Sequence, residues 1–217
     1  MLDLSAMRLG CRWNPGTPHI PEPVGATSPV SAAWSRIVGT PRLSGDNTVI
    51  GDCVPTACAN AVQDAMAATG DYAPIPQAEI VRVYSAVTGY VPGDPASDQG
   101  TQPSDMWGWW QQHDLAGYKL RKATTVDPQS EYAVRKTIET AGGVILIVAL
   151  SLEQQTQTEW LPAGTPGSWG YHCVWVDSYV GGLSFATSWG QMTPIHQAYL
   201  QNPGFVVGAY ALDLVAA

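Results

Sequence analysis

The chain has 217 residues, 10 Lys and Arg against 18 Asp and Glu, and a net charge of −8, enough for one substantial domain or for two lobes sharing an interface. No cluster of Lys and Arg stands against that acidic balance, which excludes nucleic acid as a partner, since neutralising phosphates requires such a cluster. No stretch approaches the roughly 20 apolar residues of a membrane helix, so no membrane partner is expected.

The N-terminus shows no apolar block, and Asp3 and Arg8 interrupt the segment where one would stand, so the sequence lacks the order of a secretory signal and a cytoplasmic location is expected. Residues 14–30, NPGTPHIPEPVGATSPV, hold five prolines and little periodic pattern. Residues 1–44 are accordingly expected to form an extended proline-rich arm, able to wrap its own domain or reach a neighbour, including a second copy of the chain.

From about residue 45 the pattern becomes that of a folded domain. Asp52 as N-cap, Pro55 in the first turn and Gly70 as the left-handed stop predict a helix over Cys53 to Thr69. Its apolar positions Cys58, Ala61, Val62, Ala65 and Met66 recur at helical spacing and are small enough for close packing. A second helix is predicted over Pro76 to Thr88, ended by Gly89, and a third over Pro103 to Leu115, with a loop of turn formers at residues 90–102. Asp127 and Pro128 open a fourth, running to about Thr140, and Gly142-Gly143 stop it before the strand Val144 to Leu150. Further strands are predicted over His172 to Tyr179, Leu183 to Ser188 and Phe205 to Val215. Helices come first and strands after, which is the order of an α+β fold and not of a doubly wound sheet. A helical lobe over about 45–120 and a β-rich lobe over about 121–217 make one domain.

Cys53 stands out because the caps place it in the first turn of a helix after a glycine-bearing turn. Free backbone N–H groups and the helix dipole there stabilise a thiolate and can meet a developing oxyanion. The competing reading is a small buried apolar residue. The remaining cysteines, Cys11, Cys58 and Cys173, show no metal-ligand spacing, and Cys58 lies about 140° around the helix from Cys53. Reduced thiols, no metal and no cofactor are expected. For a base, His172 opens a strand after the loop GTPGSWGY, although spacing alone does not choose it over His113. His19 lies in the arm and His196 follows a proline; both read as bland positions.

The segment NTVIGDC, the strand opening with His172 and the later TSWG resemble the papain-like cysteine peptidases in order and spacing, over about residues 45–215. The resemblance implies a helical lobe packed on a barrel-like β-rich lobe. It further implies Cys53 as nucleophile and His172 as general base, with Asn47 in place of the family's oxyanion glutamine and Gly51 two residues before the nucleophile. Thr187 stands where the family has the asparagine that orients the histidine, and Trp189 shields that contact. Gly51, Asp52, Trp169 and Trp189 are the expected substrate-binding residues. The implied substrate is a peptide or protein, cut at a peptide or isopeptide bond or, if the protein belongs to a phage, at a peptidoglycan amide.

The segment also looks like papain-like proteins found among bacteriophage structural genes. With only 13% charged residues and nine tryptophans, a second class of function stays open, a scaffold in an assembly such as a virion, with the arm and tryptophans contacting other virion proteins or further copies. Trp107, Trp109 and Trp110, with Met106, form an aromatic cluster that reads either as an interaction patch or as packing between lobes, with at least one ring near the surface. Asp177, five residues along the strand from His172, falls on its opposite face.

Overall fold

Small side chains allow helix α1 (Cys53–Thr69) to run through the centre of the molecule, buried at every residue from Cys53 to Asp64. The computed structural model describes residues 9–13, 31–33 and 42–217; the proline-rich run at 14–30 and His19 lie outside the described residues. Polar residues of α1 are used as fasteners. Asn60 receives the Leu43 N–H at 3.0 Å and donates to the Leu43 carbonyl at 3.2 Å, and Gln63 Oε1 accepts the Ile75 N–H. Gly70 ends the helix in the left-handed conformation, as its sequence position predicts.

Helices α2 (Gln77–Thr88) and α3 (Pro103–Trp110) pack on α1. Against them stands an antiparallel sheet in the order β2 (Tyr118–Thr125), β7 (Val206–Ala216), β3 (Val144–Leu150), β4 (Gly170–Val180), β5 (Leu183–Ser188), β6 (Gln191–His196). Strand β1 (Ser31–Ala33) pairs with the far end of β4. Strand alternation divides the apolar residues into two cores. Ile145, Ile147, Cys173, Trp175, Tyr210 and Leu212 face α1. Leu146, Val148, Val174 and Val176 face the other way and are covered by Val134 and Ile138 of α4 (Glu131–Ala141). A short helix, α5 (Gln197–Leu200), precedes β7 and is capped by His196 Nδ1, which accepts the Ala198 N–H at 3.2 Å.

Several boundaries differ from the sequence expectation for local reasons. Helix α3 stops at Trp110, because Trp110 is buried whole with its indole N–H on the Tyr118 carbonyl at 2.8 Å, and the chain turns there. Helix α4 starts at Glu131. Asp127 spends its side chain on the Gln129 N–H in a local turn, and Ser130 Oγ caps the Ala133 N–H. Strands β2 and β6 were not predicted. Both are edge strands: β2 carries Lys119, Arg121 and Lys122, and β6 contains Pro194, which only an edge tolerates.

The tryptophan cluster divides as the spacing requires. Trp110 is core, Trp107 meets Tyr210 edge-on at 5.5 Å, and half-buried Trp109 stacks on exposed His113 at 4.9 Å beneath Arg82. His113 is therefore a surface residue of this cluster.

Candidate active site

The Cys53 position, the candidate nucleophile, is built by a tight turn. The Val49 and Ile50 N–H groups donate to the Asp46 carbonyl, and the Asp46 N–H donates to Asp52 Oδ2 at 3.0 Å. Asp52 occupies the N-cap position of α1, yet its carboxylate serves this turn and leaves the helix N–H groups uncapped. Cys53 follows with its sulfur facing main-chain groups of Cys173 and Gly10. Cys173 is the residue after His172, so the thiol stands at the start of β4. The sulfur is wholly buried, and burial pushes its thiol up to about 12, the facing main-chain groups pulling less strongly the other way. Asp52 is also buried, and burial outweighs its hydrogen bond from Asp46 to raise its carboxyl to about 7.

His172 is held from two sides. Its Nε2 lies 2.9 Å from Ser188 Oγ, and its ring stacks on Trp189 at 4.5 Å and 7°. Trp169 extends the stack, 5.6 Å beyond Trp189. Trp189 adopts φ +48°, a strained value for a bulky residue, at the turn that lays its indole across the imidazole. Among the described residues Nδ1 has no hydrogen-bond partner, the Cys53 sulfur included, and with the ring buried the imidazole is pushed down to about 3.

Thr187 is not the residue beside the imidazole. Its hydroxyl points at Met192 Sδ, 3.4 Å away on β6. The cause is a bulge in β4: Trp175 pairs with Thr187 and Val176 with Ala186, but Ser178 pairs with Phe185, leaving Asp177 as the extra residue. One inserted residue exchanges the two faces of β5, so Thr187 joins the α1 side with Trp175 and Ser188 joins the side of His172. Asp177 itself faces α1, where Arg42 is ion-paired with it and with Asp64. Asn47 is also less free than its position implies: its Nδ2 donates to the Ser44 carbonyl at 2.6 Å, which leaves one amide N–H for an oxyanion.

The cleft is filled by the chain's own residues 9–13. The Thr101 N–H donates to the Gly10 carbonyl at 2.6 Å and the Arg12 N–H donates to the Thr101 carbonyl at 3.0 Å, so Cys11 bridges Thr101 in parallel. Gly10 passes so close to the turn before Cys53 that a Cβ there would fall 2.0 Å from the Gly51 oxygen. Leu9 packs on Gly170, Trp13 on Gly208, and Arg12 reaches Asp105 at 3.7 Å. Beneath this strap Cys53 is 0% and His172 1% exposed.

Beside Ser188 and Trp189 opens a cavity of about 530 Å³, lined also by Gln191, Thr193, Gln157 and Trp160 among others, and by no charged side chain. Among the described residues no cluster of His, Cys, Asp or Glu is arranged to hold a metal ion. Ser188 and Arg42 escaped the sequence reading, the first because the bulge hides its face and the second because it lies in the expected arm.

No protein-family model and no curated protein matches the chain. Solved structures do. Xylellain, a cysteine protease from Xylella fastidiosa, superposes with a TM-score of 0.72 at 13% identity, over 96% of this chain and 97% of that one. A digestive procathepsin L 3 from the larval midgut of Tenebrio molitor gives 0.66 at 14% identity, over 87% and 71%. The bromelain protease of Ananas comosus, in complex with the E64 inhibitor, gives 0.63 at 12% identity, over 85% and 98%. The fold is the papain-like α+β fold.

Proposed function

We propose that the chain is a thiol hydrolase of peptide or isopeptide bonds, held latent by residues 9–13. The observation that carries this reading is the meeting of the Cys53 sulfur, at the tip of α1, with the main chain next to His172, whose Nδ1 is unpartnered. With the proton of the neutral ring on Nε2 and given to Ser188 Oγ, the Nδ1 lone pair takes the Cys53 proton. The thiolate attacks the substrate carbonyl, and the oxyanion lies near the Cys53 N–H and the remaining amide N–H of Asn47. The imidazolium then protonates the leaving amine as the C–N bond breaks. Water, deprotonated by Nδ1, hydrolyses the thioester and restores the thiol. The uncharged cavity beside Ser188 would receive the leaving side of the substrate.

In the strapped form both groups are neutral at pH 7, so the ion pair forms only once the strap leaves and water enters. A non-catalytic scaffold is the second reading, favoured by the same sealed and neutral pair. An electrophilic thiol probe at neutral pH separates them. On a chain whose strap is displaced, Cys53 should be modified much faster than a free cysteine, and His172→Ala should abolish the excess. Modification no faster than a free thiol would leave the scaffold.

A further inference from the structure

Resting on the hydrolase reading, a second set of contacts bears on how the nucleophile is held against the opposite wall of the cleft. The Gly51 N–H, two residues before Cys53, donates to Asp98 Oδ1 at 2.9 Å. The Tyr84 hydroxyl donates to the same oxygen at 2.6 Å and accepts the Gly100 N–H at 3.0 Å. Tyr84 is fixed inside α2: it is fully buried, lies 4.9 Å from the Tyr90 ring, and shares a small apolar cluster with Ile50 of the nucleophile turn.

Gly51 and Gly100 meet at a seam that the Gly10 main chain crosses. A Cβ on Gly51 would lie 2.9 Å from the Gly10 Cα and 3.2 Å from the Gly100 Cα, and one on Gly100 would lie 2.2 Å from the Gly10 oxygen. The two glycines thus stand in contact and form a bare seat against which one main chain lies. We infer that Asp98 and Tyr84 are positioning residues: they tie the turn that presents Cys53 to the Gly100–Thr101 segment and so fix the two-glycine seat along which an extended chain passes the sulfur. Neither touches the thiol. A carboxylate accepting two hydrogen bonds makes a strong tie, and burial, followed by the adjacent Asp98, raises the Tyr84 hydroxyl above its ordinary value, keeping it a neutral donor.

Amide exchange in the full chain tests the tie directly. Asp98→Ala should speed exchange at Gly51 and Tyr84→Phe at Gly100, each roughly tenfold or more, with the fold retained. Asp98→Asn keeps an acceptor and should stay within about threefold of the parent. In the Gly10→Ala chain, the Ala and Phe variants should slow alkylation of Cys53 by a peptidyl epoxide about tenfold while leaving its rate with small iodoacetamide unchanged, because only a chain-shaped reagent lies along the two-glycine seat. Unchanged exchange at both glycines, or equal effects on both reagents, overturns the inference. If the Cys53 thiol of the Gly10→Ala chain reacts with neither reagent faster than free cysteine, the hydrolase reading falls and the positioning role with it, while exchange still reports whether the tie exists.

Discussion

Ser188 Oγ lies 2.9 Å from His172 Nε2, whereas the hydroxyl of its neighbour Thr187 turns to the other face of β5 and meets Met192. Adjacent hydroxyls on one strand thus have unlike expected effects. Ser188→Ala removes the partner that fixes the ring tautomer and should lower kcat/KM on a peptide substrate about 10- to 100-fold, altering the pH profile. Thr187→Val should change kcat/KM less than about threefold, since its hydroxyl meets only a thioether. The opposite ranking would return the orienting role to Thr187.

Gly10 is the tightest point of the strap, with a Cβ there only 2.0 Å from the Gly51 oxygen and 2.2 Å from the Gly51 Cα. Backbone cannot yield to that overlap, so Gly10→Ala should expel residues 9–13 while leaving the chain at full length. Cys53 would gain water and its thiol would fall from about 12 toward its ordinary value, as the burial that raised it is lost. Iodoacetamide labelling of Cys53 at pH 7, followed by peptide mapping, should accelerate by at least about tenfold. Equal rates in parent and variant would mean that the strap does not govern access.

The features that position Cys53 are legible in the sequence because they are local. Asp52, Pro55 and Gly70 mark the ends of α1 by backbone chemistry that needs no partner, and Val144 to Leu150 is apolar enough to declare a buried strand. The hydroxyl beside His172, that of Ser188, is not legible there. Its face depends on a single bulged residue, Asp177, held by Arg42 more than a hundred positions earlier in the chain, and no pattern within β5 reveals such an insertion. The strap was hidden for a related reason: Leu9 to Trp13 form no periodic element, and their place is set by glycines at 51, 100, 170 and 208 that leave room for them. Strands β2 and β6 lacked alternation because edge strands bury only part of one face.

Arg42 joins the end of the expected arm to the core. Its guanidinium pairs with Asp64 of α1 at 2.8 Å and with Asp177 of β4, and all three side chains are nearly inaccessible. Trp175 Nε1–H also donates to Asp64 at 2.7 Å. Arg42→Met fills similar space but leaves two carboxylates buried without a cation, and should cost about 3–5 kcal/mol in urea unfolding at pH 8. Adding Asp64→Asn removes one of those charges and should recover part of the loss. A single variant within about 1 kcal/mol of the parent would show that the pair contributes little.

Asp52 gives the fold a pH dependence opposite to that of an ordinary salt-bridged carboxylate. Burial raises its folded value to about 7, against an unfolded value near 3.8. Between those values the folded chain holds a proton that the unfolded chain has released. Its contribution is therefore full below about pH 4 and is lost as pH rises through 7. His172, pushed down to about 3, works in the other direction over the acid range, so the whole-protein curve mixes both. Asp52→Asn isolates one of them. It keeps an acceptor for the Asp46 N–H and removes the titration, so the variant should match the parent near pH 4 and exceed it by a few kcal/mol (on the order of 2–4) at pH 8. Removing that negative charge also takes away one of the influences raising the Cys53 thiol, so labelling of Cys53 should quicken in the same variant. Parallel stability curves for variant and parent from pH 4 to 8 would show that Asp52 is already ionised in the folded chain.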